Sequence, residues 1–323
     1  MVILKKYLLV FSYTRYHEDL LSRINLTEEF PKTIIINFNS VASGGSIKNF
    51  TSKIMMVFRF FFLRVLLCSN RINISILLPH PEHLLSNYFF FSKKVTNIQI
   101  YEDGLLNYID VKLGGRFKKR SEKRRFISRM LFYQFRSVEG HLSGCQEKTV
   151  SRGYFQHPEM LYLPTEYEEI KKISIFNKKL SSADYDIVLF VDQDVEALYG
   201  EADGGRLREE LYDFLSKYKK VYVKLHHDYV AGKFSTKKMP GNFEVLPKLF
   251  QQDVAENIIE RVSAGVVCGF TSTALINIAG KYDGIYCYCC VSESHMVMSS
   301  LGREKMSELF ERFNVKKIKH YPS

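Results

Sequence analysis

The sequence has little proline and little glycine, 8 and 18 residues in 323, too few for a collagenous, low-complexity or disordered chain. It also lacks an apolar run long enough to cross a bilayer. The most apolar stretch, Ile54 to Cys68, is interrupted by Arg59 and Arg64 and falls short of the roughly 20 residues a spanning helix needs. The N-terminus, MVILKKYLLVFSY, has lysines inside a short apolar run and no small-residue cleavage site, so it reads as a first strand and not as a signal peptide. The six cysteines, Cys68, Cys145, Cys268, Cys287, Cys289 and Cys290, follow no disulfide framework. Cys287 and Cys290 form a CxxC, yet no second Cys/His pair stands at zinc spacing, and GIYCYCC reads as a buried strand. The expectation is a cytoplasmic chain without a metal site. Acids are the minority charge: 35 Asp+Glu against 46 Lys+Arg leave +11, which favours an anionic partner.

What is present is a packed globular composition, 46% hydrophobic and 25% charged, in a length that suggests two domains. Strand-like apolar runs alternate with helical patterns. The strands are expected at Tyr7–Tyr13, Thr33–Asn39, Ile72–Pro79, Asn97–Glu102, Asp186–Val191, Val221–His226, Phe243–Leu246, Gly265–Phe270 and Ile285–Cys290. Helical stretches in the first half fall near 15–24, 46–68 and 81–93. Alternation of this kind predicts α/β architecture with parallel sheets covered on both faces. The charge-rich segment LYLPTEYEEIKKISIFNKKLSSADYD is expected to contain a linker between two Rossmann-like domains, 1–165 and 183–323.

Ligands in such sheets bind beyond the carboxyl ends of the strands, so polar residues following strands are the candidates. The first group is Tyr101-Glu102-Asp103-Gly104, where two acids precede a glycine that can turn sharply. Either carboxylate could act as a general base, and a solvated Asp-Gly turn is the bland alternative. The second is Lys224-Leu225-His226-His227-Asp228, in which a strand-end histidine could donate to a phosphate. Two partly exposed loop histidines are the alternative. The third is Thr271-Ser272-Thr273 at a helix start, an anion site or simply an N-cap. Sixteen residues before Ser272, Glu256 could accept hydrogen bonds from a ribose diol, or could be an ordinary surface residue.

In this order the motifs resemble those of the bacterial sialyltransferases of GT-B fold, with their D/E-D/E-G, HP and Ser/Thr motifs. YEDG matches the first and GFTSTAL the third, while His227 replaces the proline of the second. Gln156-His157-Pro158 contains an HP in the first domain. The resemblance is greatest to enzymes that sialylate O-antigen, lipooligosaccharide or capsule. It implies two Rossmann-like domains facing across a cleft, with the acceptor on the first and CMP-sialic acid on the second. It further implies Asp103 as base with Glu102 as the alternative, and His226 as the group that stabilises or protonates the departing phosphate. Glu256 would hold the ribose, and Ser272, Thr273, Thr271 and Lys224 would serve the donor. No cofactor beyond the donor is implied, and an inverting transfer to a galactose-terminated glycan needs no metal.

Two further features compete or add. Asp192-Gln193-Asp194 is a DxD after a strand, the pattern that holds a divalent metal in other glycosyltransferases. Residues 112–136 carry ten Lys/Arg against the single acid Glu122, interleaved with aromatic and aliphatic residues. That composition suits an anionic membrane surface and a lipid-linked acceptor, and no nucleic-acid-binding motif accompanies it. A transferase using another nucleotide sugar, and a non-catalytic basic membrane- or nucleic-acid-binding protein, are the rival readings.

Overall fold

The computed structural model describes residues 5–26, 32–37, 54–55, 57–65, 72–112, 115–175, 178–180, 182–225, 239–251 and 253–318, with the side chains of 115–120 and 197 left out. The chain divides into two units, Met1–Ser174 and Ile175–Ser323.

The first unit is built on β1 (Lys5–Ser12), β2 (Thr33–Asn37), β3 (Ile72–Leu78), β4 (Val95–Tyr101), β5 (Arg152–Phe155) and β6 (Ile170–Lys172). They form one sheet in the order β2-β1-β3-β4-β5-β6, every pair parallel. Parallel strands need crossovers that cover both faces, and the central strands are accordingly apolar: Leu8, Val10, Ile76, Leu77 and Ile100 are fully buried. β1 is followed by its left-hand neighbour and then by its right-hand one. The chain therefore reverses direction across the sheet between β1 and β3, the topological switch point at which such sheets bind ligands.

The second unit contains β7 (Lys178–Lys179), β8 (Asp184–Val191), β9 (Lys220–Lys224), β10 (Phe243–Val245), β11 (Ala264–Gly269), β12 (Tyr282–Asp283), β13 (Tyr286–Cys289), β14 (Met296–Ser299), β15 (Gly302–Lys305) and β16 (Lys316–Lys317). Its main sheet runs β10-β9-β8-β11-β13-β16, again all parallel. Numbered within the unit, this is the order 3-2-1-4-5-6 of a dinucleotide-binding fold, with the switch between β8 and β11. The helix Glu201–Leu215 lays Leu207, Leu211 and Leu215 against Val188, Phe190 and Val221, apolar at the i, i+4, i+8 spacing of one helix face.

All nine expected strands are present, with ends shifted by at most two residues; Phe38, Asn39 and His226, at two of the expected ends, lie outside the described residues. The expected linker is shorter than its charge suggested, because Ile170–Lys172 pairs with β5 as an edge strand. A three-residue charged edge strand is hard to tell from a loop by pattern. GIYCYCC forms the strand anticipated but is buried only on its cysteine side, with Tyr286 exposed: Cys287, Cys289 and Cys290 are buried and free, and burial pushes each thiol up to about 12.

The basic stretch forms a helix, Gly115–Met130, whose apolar residues do not face the core. Its inward positions are Ser121 and Ser128, both buried, while Phe126 and Met130 stand exposed beside Lys123, Arg125 and Arg129. Small hydroxyl side chains let the helix lie close, with Ser121 Oγ 2.7 Å from Ser137 Oγ. Leu131 and Phe135, beyond the helix end, supply the apolar contact to the core.

Candidate active site

The strand register of the first sheet sets Leu78 opposite Ile100 and Tyr101 opposite Tyr154, so the segments after β3, β4 and β5 leave from one edge. Glu102 and Asp103 follow β4 there, and Gly104 turns the chain away with φ +61°, a conformation glycine adopts without steric cost.

The two acids have different environments. Glu102 is fully buried. Its Oε1 accepts from the Tyr16 hydroxyl (2.8 Å) and Gln156 Nε2 (3.0 Å), and its Oε2 from the Tyr108 hydroxyl (2.5 Å) and the Gln156 amide (2.7 Å). Four donors fill the carboxylate, which leaves it to tie β4 to β5 and to the helix Arg15–Ser22.

Asp103 retains 24% side-chain exposure. His17 Nε2 lies 2.9 Å from Oδ1 and His80 Nε2 lies 3.6 Å from Oδ2, the second beyond hydrogen-bond reach. The tautomers follow from the backbone. The Tyr13 amide donates to His17 Nδ1 (3.2 Å) and the Glu82 amide to His80 Nδ1 (3.1 Å), so in each ring the hydrogen sits on Nε2, facing Asp103. Because both Nδ1 atoms are occupied, neither imidazole offers a lone pair to a substrate, and the accessible basic atoms are those of Asp103.

Burial pushes the Asp103 carboxyl up, but the hydrogen bond from His17 and the facing His80 outweigh it and leave the group below its usual value. Burial lowers His80 to about 4 and His83 to about 3, so both are neutral near pH 7. Tyr13 stacks on His83 at 4.6 Å between ring centroids, and its hydroxyl donates to Ser86 Oγ (2.5 Å). Glu82 is buried and raised by that burial, with Arg124 3.6 Å from its Oε2. One cation of the basic helix thus reaches the elements behind Asp103.

Sequence reasoning singled out Asp103 and Glu102 and missed Tyr13, His17, His80 and His83. A signal was present: Pro79-His80-Pro81 follows an apolar strand, and Tyr13-Thr14 follows another, with Thr14 capping the helix that bears His17.

In the second unit the register sets Gly269 opposite Val191, and Val191 opposite Lys224. The segments after β8, β9 and β11 therefore leave one edge, at the switch point. There Gln193 Nε2 donates to the Thr271 carbonyl (3.2 Å) and Thr271 Oγ1 to Gln193 Oε1 (3.4 Å). Ser272 caps the helix Thr273–Lys281, its Oγ accepting from the Ala274 amide at 3.3 Å. Glu256, in the first turn of the helix Ala255–Val262, is buried, and its Oε1 accepts from Asn277 Nδ2 at 2.8 Å. Asn277 lies one turn beyond Thr273, so Glu256 and Thr273 share a side of that helix. Lys224 ends β9, with its ammonium donating to the Gln251 carbonyl at 3.0 Å. The structure thus gathers Thr271, Ser272 and Thr273 at one helix start, bonds Glu256 to Asn277 in that helix's second turn, and puts Lys224 two strands away. His226 lies outside the described residues.

In the DxD, Asp192 is engaged by an arginine. Asp192 is buried and its Oδ1 accepts from Arg208 Nη1 (2.8 Å) and the Gln193 amide (2.8 Å). Arg208 also grips both oxygens of Glu196, at 2.6 and 2.9 Å. Burial lifts Asp192 to about 6 against the pull of Arg208. A resident guanidinium holds the aspartate that a metal would need. Among the described residues, no three His, Cys, Asp or Glu side chains converge as a metal-binding group.

Two doubly wound units, each with polar residues at its switch point, form an architecture that enzymes handling nucleotide-linked groups also use. A family model described as Alpha-2,8-polysialyltransferase (POLYST) matches residues 36–291, and the chain belongs to that family. It is therefore a member of a sialyltransferase family. No curated protein sequence matches it. Among solved structures it is similar to one titled as the glycotransferase of kitacinnamycin, at 9% identity and TM-score 0.44, covering 97% of this chain and 86% of that one.

Proposed function

We propose that the protein is an inverting sialyltransferase that takes sialic acid from CMP-sialic acid and places it on a terminal sugar hydroxyl of a bacterial surface glycan. The observation that carries this reading is Asp103: a solvent-reachable carboxylate after β4, held below its usual value by His17 and the facing His80, which follow β1 and β3 at the switch point, in a chain of a sialyltransferase family.

Asp103 accepts the proton of the acceptor hydroxyl as its oxygen attacks the anomeric carbon. The bond from that carbon to the phosphate oxygen breaks, its electron pair leaves with CMP, and the configuration inverts. The amides at the start of the helix Thr273–Lys281, with Thr271, Ser272 and Thr273, stabilise the phosphate charge. His226 and Lys224 assist the leaving group, and Glu256 accepts from the ribose. Residues 1–165 serve the acceptor and 183–323 the donor. CMP-sialic acid bears one phosphodiester and no pyrophosphate, so the reaction proceeds without a metal to neutralise it. The acceptor ends in galactose, or in sialic acid as the family description suggests, and is lipid-linked. The basic helix holds the enzyme at the anionic inner face of the cytoplasmic membrane. Among the described residues no helix is long and apolar enough to cross it.

The test is nucleotide-dependent thermal stabilisation joined to turnover. CMP, and not UDP or GDP, should raise the melting temperature, and CMP should be released from CMP-sialic acid when galactose- or sialic-acid-terminated acceptors are supplied. Stabilisation by UDP or GDP alone would transfer the protein to another nucleotide sugar, and no response to any nucleotide would end the enzymatic reading.

A further inference from the structure

The helix that includes residues 57–65 shows an unusual division. Phe60 and Leu63 are buried, while Phe58, Phe62 and Val65 are 68%, 63% and 68% exposed, with Met55 one turn before them. Positions 58, 62 and 65 recur at helical spacing, so they form one apolar stripe turned to solvent. A solvated helix would carry polar residues there.

A second exposed apolar set stands at the end of the basic helix: Phe126 at 68%, Met130 at 69% and Phe132 at 75%. The two sets are joined. Arg64 donates from Nη1 to the Leu131 carbonyl (3.1 Å) and from Nη2 to the Phe132 carbonyl (3.0 Å). Its guanidinium lies 5.2 Å from the Tyr88 ring centroid, and Phe60 packs on Tyr133 at 5.7 Å. Phe132 itself has φ +55°, a left-handed conformation that is a real outlier for a bulky residue. The Arg64 bond to its carbonyl holds the backbone in that form, with the ring outward.

Cations are interleaved with these side chains. Arg59 is exposed on the first helix, and Lys123, Arg125 and Arg129 on the second. A second copy of the chain would bring like charges together, and an acidic soluble protein would leave the aromatic rings without an apolar phase. The interface of an anionic bilayer satisfies both, with headgroup phosphates for the cations and the acyl boundary for the rings.

We propose that residues 57–65 and Phe126–Phe132 form one bilayer-insertion surface, in which Phe58, Phe62, Phe126, Met130 and Phe132 enter the lipid interface while Arg59, Lys123 and Arg129 pair with anionic headgroups. This rests on the peripheral attachment proposed above and adds an apolar component that charge alone does not supply. The short apolar run of the sequence thus lies on a membrane without crossing it.

The chain contains no tryptophan, so Phe58→Trp or Phe132→Trp introduces a single indole reporter. Each variant is mixed with vesicles of phosphatidylcholine and phosphatidylglycerol, and with phosphatidylcholine alone, after circular dichroism has confirmed its fold. The expected result is a blue-shifted emission with the anionic vesicles, quenched by lipids brominated near the headgroup end of the chain. Cosedimentation should persist in part between roughly 0.1 and 1 M salt, where the Debye length falls from about 10 to about 3 Å. Combined Phe58→Gln, Phe62→Gln and Phe132→Gln should remove the salt-resistant fraction, lowering partitioning about tenfold or more. Combined Lys123→Gln and Arg129→Gln should instead weaken low-salt binding. Sedimentation without any emission shift would refute insertion while leaving charge-based attachment. A dimer dissociated by the triple phenylalanine variant would show that this face is an interface between copies. Transfer to a soluble acceptor is measured alongside, so failure of the transferase reading is seen separately.

Discussion

Replacing His17 with phenylalanine tests how the base is set. Phenylalanine keeps the ring that packs edge-on against Tyr101 at 5.3 Å and removes both nitrogens. Asp103 then loses its 2.9 Å donor. A hydrogen bond to a charged group contributes about 1.5–3 kcal/mol, and losing a donor that favours the anion raises the pKa of the carboxyl. The acid limb of kcat/KM for sialyl transfer, which reports the free enzyme, should therefore move toward neutrality, while the plateau falls less. The Tyr13 amide loses its acceptor as well, which costs about 1–3 kcal/mol of stability, so melting must be followed in parallel. His17→Gln, which can return an amide donor to Oδ1, should restore the limb. A folded His17→Phe protein with an unmoved acid limb, or one whose rate falls equally at every pH, would refute the positioning of Asp103 by His17.

Asp103→Ala should lower turnover by about 10² to 10⁴ with CMP affinity nearly intact; unchanged turnover would end the base assignment. Glu102→Gln should act on melting instead, by about 3–5 kcal/mol, because an amide NH2 would face hydroxyl or amide donors in a saturated buried site; full stability would contradict the network. Acid should destabilise the first unit through His80, whose folded pKa of about 4 lies below its ordinary 6.5. The unfolded chain binds the extra proton between those values, so stability falls as pH drops from about 6.5 toward 4, by about 3 kcal/mol at most; urea midpoints of wild type and His80→Gln across that range measure it, and parallel curves would count against it. EDTA should leave transfer unchanged, and restoration by Mn²⁺ after its loss would return Asp192-Gln193-Asp194 to consideration. Glu256→Ala should weaken CMP binding by calorimetry, and equal affinity would remove it from the ribose site.

Alternation of apolar runs with helical patterns was legible because parallel strands buried on both faces leave continuous signals such as DIVLFV. β5 and β6 were not legible: RGYF and IKK are short, and two residues of each are charged or lack a side chain that packs apolar surface. The candidate site was legible where adjacent residues carry the chemistry, as in Glu102-Asp103, but adjacency could not divide their roles. That division depends on Tyr16, Tyr108 and Gln156, up to 86 residues away in sequence. His17 and His80 were hidden for the same reason. Each stands in a different segment of the chain, and they meet only because β1, β3 and β4 are consecutive across the sheet.

The separation of the two sheets along the chain bears on biosynthesis. Every strand of the first sheet ends by Lys172 and every strand of the second begins after it, so the first sheet can close while the second is still in the ribosome. The second unit faces a harder moment. Its central strand β8 is made first, and its neighbour β11 emerges some 75 residues later as the chain grows at about 5–20 residues per second. During that wait the VLFV edge would be open to other nascent chains. The helix Glu201–Leu215 is the earliest substantial element to follow, and Leu207, Leu211 and Leu215 are what it offers to Val188 and Phe190. In that interval the helix can cover the apolar face of the strand on which the rest of the second sheet is later assembled.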